Sequence, residues 1–167
     1  MGMTACYMEA ERDVIEKLKD KSDEDLFDEI ETLEEQNIKM YDMDKLWDGL
    51  HFILTGVSAS EPVENNLLSE AIVGTAMFSD DEMSDFITYI YPERVSEISL
   101  ALNEFDINNA LSDFSPRKLA SNGIYPSIWV EEDKDGLKNE LKEEFNGLKD
   151  FYKSMSYEHK GVIVSIY

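Results

Sequence analysis

Asp44, Asp48 and His51 fall four and then three residues apart in the run Asp42-Met43-Asp44-Lys45-Leu46-Trp47-Asp48-Gly49-Leu50-His51-Phe52-Ile53-Leu54-Thr55-Gly56. On a helix those intervals bring the three groups to one side. A carboxylate beside an imidazole can orient a general base or contribute to a metal site, and Trp47 would stand next to such a pair. The same residues also have a structural reading. Asp44 would cap the helix and meet its dipole, Asp48 would hydrogen-bond Lys45 or His51, and His51 would be a satisfied core side chain. An EF-hand is excluded. Asp42-x-Asp44 opens like one, but the sixth and twelfth positions, which require Gly and Glu, hold Trp47 and Ile53.

Glu70 is the second candidate. In Ser69-Glu70-Ala71-Ile72-Val73-Gly74 it stands at the head of an apolar run that reads as a strand, beside a loop, a place shared by site residues and ordinary surface residues. Glu61, before Pro62, has a similar setting. Cys6, His51 and His159 hold the residue types of a thiol protease. Cys6, however, falls mid-strand, where a free cysteine packs and stays inert. His159 falls in the turn Tyr157-Glu158-His159-Lys160-Gly161, an exposed setting. Trp47, Trp129, Tyr125 and Tyr91 could line a pocket, although such clusters usually build core. Trp129 precedes Val130-Glu131-Glu132-Asp133, so one end of it is expected to reach solvent. There is no glycine-rich phosphate loop and no H-E-x-x-H, C-x-x-C or G-x-S-x-G motif, so neither a metal nor another cofactor is expected.

The elements that must position these residues follow from periodicity. Residues 2–9 alternate as a strand, with Met3, Ala5 and Tyr7 opposite Thr4, Cys6 and Met8. Two helices with acidic outer faces follow across Glu9–Glu35, the second capped by Ser22 and carrying Leu26, Ile30 and Leu33. Ile38–Asp42 reads as a short strand. A largely buried helix then runs from about Met43 to Thr55, with Gly56 at the left-handed position just past its end. Val57–Leu67 is a loop, and Ala71–Phe78 reads as a strand with Gly74 at a bulge or close approach. Phe86–Tyr91 is a strand, and Pro92 opens a helix striped by Val95, Ile98, Leu102 and Phe105. Short helices follow around 108–114 and 116–120, then an irregular aromatic segment over 123–129. Leu137, Leu141, Phe145, Leu148, Tyr152 and Met155 mark one face of a long helix over about 134–157. Gly161–Tyr167 is apolar on both faces and reads as an internal strand. The sum is a single α+β domain over 1–167, with a mixed or antiparallel sheet of about four to five strands that includes both termini and is packed with helices.

Composition sets the outer limits. The 167 residues carry 37 acidic and 15 basic side chains, a formal charge of −22. That balance excludes non-specific nucleic-acid binding and is repelled by anionic membranes. With 43% hydrophobic and 11% aromatic residues, the chain is too apolar to be a disordered acidic tail. One cysteine allows no intrachain disulfide and suits a reducing cytoplasm. The opening residues have no signal-peptide character. Gly2 invites a myristoylation reading that Cys6 spoils, since Ser or Thr belongs there. Nothing approaches the roughly 20 apolar residues of a membrane span. The charge is local: thirteen acidic against four basic residues in Glu9–Glu35, and eight against four in Glu131–Asp150.

Met1-Gly2-Met3, then Asp44-Lys45-x-Trp47-x-x-Leu50-His51-x-x-Leu54-Thr55-Gly56, then Ser69-Glu70-Ala71-x-x-Gly74 and the ending Ile166-Tyr167 resemble the YfbM-like bacterial family nearly end to end. The tryptophan-histidine helix is the most specific part of the match. The resemblance implies a single α+β domain in a bacterial cytoplasm. The family is one of unknown function, so the likeness transfers no catalytic residue. It carries a hint that some members serve as immunity proteins beside toxins.

Two functions remain open at this level. The first is a non-catalytic acidic binding module for a basic protein, in its sharpest form an immunity-type inhibitor of a basic toxin. The second is a small enzyme or ligand-binding domain that uses a pocket around the 42–56 helix. Asp44, Trp47, Asp48, His51 and Glu70 are the residues expected to touch a ligand or partner.

Overall fold

Residues Ala5–Ala10 (β1) alternate between two apolar environments, and that alternation organises the whole molecule. Ala5 and Tyr7 join one buried cluster, Met8 and Ala10 another. A strand that is apolar on both faces needs cover on both. The computed structural model, which describes Gly2–Tyr167, supplies it as three layers. Met1, the first residue of the N-terminal motif, lies outside the described residues.

The middle layer is a five-stranded antiparallel sheet. Besides β1 it contains Met40–Asp44 (β2), Ala76–Met77 (β3), Phe86–Ile90 (β4) and Gly161–Ile166 (β5), in the order β2-β1-β5-β4-β3. β5 is central and buried at all six positions, as its two-faced apolar pattern requires. The first and last strands lie side by side, with Ala5 opposite Ile166 and Ala10 opposite Gly161.

One face is covered by Arg12–Lys19 (α1) and Asp23–Glu34 (α2). Ile15, Leu18, Leu26 and Ile30 pack there on Met8, Ile87, Tyr89 and Ile163. The Ser22 hydroxyl accepts from Asp25 N–H and starts α2. The other face carries the larger core, built by Trp47–Thr55 (α3), Leu67–Val73 (α4), Pro92–Glu104 (α5) and Lys134–Tyr157 (α8), with the short Ile107–Ala110 (α6) and Pro116–Ser121 (α7) between the last two. The expected buried face of α8 holds from Leu137 to Met155, with Phe151 added. The two acidic regions therefore lie on opposite faces of the sheet. No helix among the described residues is long and apolar enough to cross a membrane.

The structure differs from the sequence reading in three places. The run Ala71–Phe78 is not a strand throughout: its first three residues finish α4, and only Ala76–Met77 is strand, paired with β4. Asn66 decides this, because its Oδ1 accepts from the N–H groups of both Leu68 and Ser69 at 3.0 Å and so caps a helix ahead of the apolar run. Gly74 ends the helix at φ +81°, where a Cβ would collide with Thr88 Oγ1. The second difference is at Asp44. β2 continues to Asp44, which pairs with Ala5, so α3 starts only at Trp47 and Asp44 does not cap it. The third is Trp129, whose end does not reach solvent: its indole N–H donates to Ile124 O at 2.8 Å inside the core.

The end of α4 is the tightest junction. A helix leaves its last carbonyls without internal partners. Here three side chains supply the donors. Tyr152 donates to Ala71 O at 2.7 Å, Tyr7 to Ile72 O at 2.9 Å and Thr88 to Val73 O at 2.7 Å, all buried. These come from α8, β1 and β4.

Trp129 gives a fold prediction through Gly49 of α3. In a helix interior Gly→Ala normally gains about 1 kcal/mol. At Gly49 the added Cβ would lie 2.5 Å from Trp129 Cζ2, inside van der Waals contact. Overpacking costs about 1–3 kcal/mol and more where the neighbour is held, and Trp129 is held by its hydrogen bond. Gly49→Ala is therefore expected to lower stability by about 2 kcal/mol, read as the midpoint of urea unfolding. A gain would show that the indole moves freely.

Candidate functional site

The polar residues of α3 sit on a helix that is buried over most of its surface, so each must find partners inside the protein. Asp48, 3% exposed, finds three. Its carboxylate accepts from Ala59 N–H at 2.7 Å, from Tyr125 N–H at 2.8 Å and from the Ser58 hydroxyl at 3.0 Å. One anion thus pins the 57–66 loop and the irregular 123–129 segment to the same helix. It bonds neither Lys45 nor His51, the partners considered from sequence. Backbone N–H groups of two loops occupy its lone pairs instead.

His51, fully buried, works on the other side of that loop. Its Nδ1 faces Val57 O at 2.8 Å, and its Nε2 faces Ser69 Oγ at 2.8 Å. A carbonyl can only accept, so Nδ1 carries the proton and Nε2 accepts from the Ser69 hydroxyl. Ser69 Oγ in turn accepts from Val63 N–H at 3.0 Å. Burial holds the imidazole pKa below its ordinary 6.5, outweighing the Val57 hydrogen bond and the Asp48 charge, which both raise it. A neutral His with a serine on Nε2 is the hydrogen-bond order of a general-base pair. Here the serine is itself fully buried and its oxygen is already held, so the pair ties α3, α4 and the loop together.

Glu70, next to Ser69 on α4, makes a two-pronged ion pair: Arg94 Nε to Oε2 at 2.6 Å and Arg94 Nη2 to Oε1 at 2.9 Å. The Glu70 contact is the main cause of the raised guanidinium pKa. Ser69 and Glu70 form one wall of a cavity of about 500 Å³, with Val63, Phe86, Thr88 and Met77 on the others. The expected strand-end position of Glu70 is thus replaced by a helix that locks onto α5.

Trp47 is buried. Its indole N–H donates to Met3 O at 3.2 Å and its ring lies 5.5 Å from that of Tyr125. Trp129 is core, and Tyr91 lies apart against α1, donating to Glu16 at 2.5 Å under the Arg12 guanidinium. The four aromatics do not form one pocket. Asp44 is exposed at φ +55°, its N–H bonded to Asp42 Oδ1 at 2.8 Å, and among the described residues its side chain makes no hydrogen bond to another candidate. Asp48 and His51 therefore meet around one loop, Glu70 joins through Ser69, and Asp44 stays outside.

Ser58 and Arg94 were not singled out from sequence, and Ser69 was named only as part of the Glu70 segment, yet the three complete these contacts. Asn66 with Leu67-Leu68 and Ala71-Ile72 after it was a readable helix start, and it would have put Ser69 and Glu70 on a helix. Nothing local could have paired Asp48 with Tyr125, 77 residues away. Among the described residues no three His, Cys, Asp or Glu side chains converge to hold a metal.

A model of the family described as "Domain of unknown function (DUF1877)" matches residues 1–165. Protein YfbM of Escherichia coli (strain K12) is 31% identical over 137 residues, which span 81% of this chain and 80% of that protein. The crystal structure of a protein of unknown function, YfbM from Escherichia coli, superposes with a TM-score of 0.80 at 26% identity, covering 98% of this chain and 99% of that one.

Two outcomes follow from the α3 network. Asp48→Ala leaves the Ala59 and Tyr125 N–H groups without acceptors, and each buried orphan costs about 1–3 kcal/mol. Urea unfolding should show a loss of about 3 kcal/mol, with amide exchange at Ala59 and Tyr125 accelerated. An unchanged midpoint would mean that the anion is dispensable. His51 makes stability depend on pH. Its folded pKa lies below 6.5, so on acidification the unfolded chain takes up the proton first. Stability from this group is complete above about pH 6.5 and is lost as pH falls below it, at up to about 1.4 kcal/mol per pH unit. His51→Gln should flatten that part of the wild-type curve between pH 7 and 5.5. Equal slopes would refute the assignment.

Proposed function

The chain belongs to the family described as "Domain of unknown function (DUF1877)", and from that premise we propose that it is a non-catalytic binding module whose acidic α2 face docks on a basic protein. The observation that carries this reading is α2 itself. Its sequence DEDLFDEIETLE holds seven carboxylates and no basic residue. Asp23, Glu24 and Asp25 stand in the first turn, where the dipole favours them. Glu31 and Glu34 stand near the other end, where a carboxylate costs about 0.3–1 kcal/mol. Of the seven, only Glu29 meets a cation among the described residues, Lys21 at 3.3 Å. Folding gains little from this arrangement, whereas a cationic partner would gain from all of it.

Asp81 and Asp85 extend the surface across a cleft of about 350 Å³ that they share with Asp23, Glu24 and Asp28. Such a field raises the rate of encounter with a basic partner and selects against acidic ones. An immunity-type inhibitor of a basic toxin is the sharpest form of this reading. The acidic residues of α8 lie across the sheet and serve solubility. A cytoplasmic setting goes with it, supported by a single cysteine, which can form no intrachain disulfide.

The other reading, a small enzyme or ligand-binding domain, draws on the cavity beside Ser69 and Glu70. Against it, Asp48, His51, Ser69 and Glu70 spend their hydrogen bonds on the protein itself.

Co-purification from the native host separates the two. At about 50 mM salt the protein should retain a basic partner, and at about 300 mM it should retain less, because screening shortens the field's reach. Glu24→Lys with Asp28→Lys and Glu31→Lys should abolish retention while leaving the urea midpoint within about 1 kcal/mol. Absence of a basic partner at both salts would defeat the proposal.

A further inference from the structure

The face of the sheet under α1 and α2 is not covered to its end. In register across β2, β1 and β5 stand Asp42, Cys6 and Ser165: Cys6 pairs with Asp42 on one side and with Ser165 on the other. Directly paired residues point to the same face. Glu34, near the end of α2, hangs over this row. Tyr167 closes one side, its ring 5.7 Å from that of Phe27 and its hydroxyl donating to Glu34 at 3.0 Å. Together they bound a groove of about 390 Å³, within the range of small-molecule sites.

Two independent features of this groove ask for a ligand. The first is Ser165. It is 1% exposed, and its Oγ has no hydrogen-bond partner among the described residues. The Tyr167 hydroxyl beside it gives its own proton to Glu34, so Ser165 can only donate toward that oxygen and receives no proton from it. Buried hydroxyls are normally bonded, so an orphan at the floor of a groove marks an unfilled position. The second is charge. Glu34 and Asp42 both border the groove, and among the described residues no Lys or Arg nitrogen comes within 4 Å of either carboxylate. Burial first, then the charges of Glu34 and Asp42, raise the Cys6 thiol pKa to about 12. The thiol therefore stays neutral, in a field that favours cations. The acidic side chains do not converge on a point as metal ligands must.

We propose that this groove binds a small organic cation: a primary ammonium or guanidinium whose N–H groups reach Asp42, Glu34 and the Ser165 oxygen, with a short aliphatic chain lying on Met40. The groove takes Glu34 from the end of α2 but none of the other six carboxylates of that helix, and it does not depend on docking there.

Titration with n-butylammonium, n-butylguanidinium and neutral n-butanol tests this, followed by NMR and calorimetry at 150 mM salt to suppress diffuse attraction to a chain of charge −22. The two cations should shift the amide resonances of Cys6, Asp42 and Ser165 saturably, and butanol should not. Ser165→Ala and Asp42→Asn should each weaken binding at least 10-fold. Asp23→Asn combined with Asp81→Asn, which removes charge elsewhere, should leave it unchanged. Because Asp42→Asn could disturb β2, Glu34→Gln on the helix serves as its check and should weaken binding similarly. Equal binding by all variants, or equal loss in the distant pair, would overturn the proposal in favour of a counter-ion cloud. Unchanged affinity in Ser165→Ala would overturn it in favour of a hydroxyl served by water. A parallel titration with Nα-acetyl-lysine methylamide separates the sources of the cation. Refusal of that blocked residue supports a small-molecule site, and binding tighter than butylammonium would overturn it in favour of a partner's lysine.

Discussion

A carbonyl or amide shut away from water must be given a partner, and most of the unusual side chains in this protein answer that demand. The end of α4 states it most sharply. The helix is seven residues long, too short to be stable alone, and its last three carbonyls open into the core. Tyr7, Thr88 and Tyr152 close them. Because those hydroxyls belong to two strands and the longest helix, the sheet and the helical layer are joined at one small polar knot. Removing any donor would leave a buried acceptor unmet, a larger loss than the bond itself is worth.

The same constraint explains why the residues that look chemical do little chemistry. Asp48 and His51 are the side chains a search for acid-base pairs selects first, and both are taken up by loop backbone. An irregular segment has no ladder to satisfy its amides, so a buried carboxylate and a neutral imidazole act as fixed acceptor and donor. Glu70 with Arg94 does a related task between helices.

How much could be read in advance follows from how local each signal is. Ser22 capping α2, Gly56 just past α3 at φ +86°, Pro92 opening α5 and the long stripe of α8 all depend on neighbours within a turn or two, and all were legible. β5 was legible as internal because its apolar residues occupy both faces. The α4 region was misread because seven residues cannot display a period, and an apolar run after Ser69 suits strand or helix alike. Asp44 was misread because a ladder partner 39 residues away, Ala5, ties it to the sheet rather than to the helix. The residue types of the candidate cluster were visible, but their partners were not, since Tyr125 and Arg94 reach them only through the tertiary fold. The charge of −22 was visible as a sum, while its division between opposite faces of the sheet needed the strand order.

The strand order also governs when the molecule can come into being. β1 finds β2 early, but its other flank is completed only by β5, with Ala5 beside Ile166. During synthesis on the ribosome, which delivers the chain from its first residue onward, β1 and β4 wait with bare edges until the strand between them has emerged. Helices α1 and α2 can form meanwhile, yet the sheet they cover cannot close. Folding is therefore a late event dominated by distant pairings, the kind that proceeds slowly and leaves apolar strands open to chaperones in the interval.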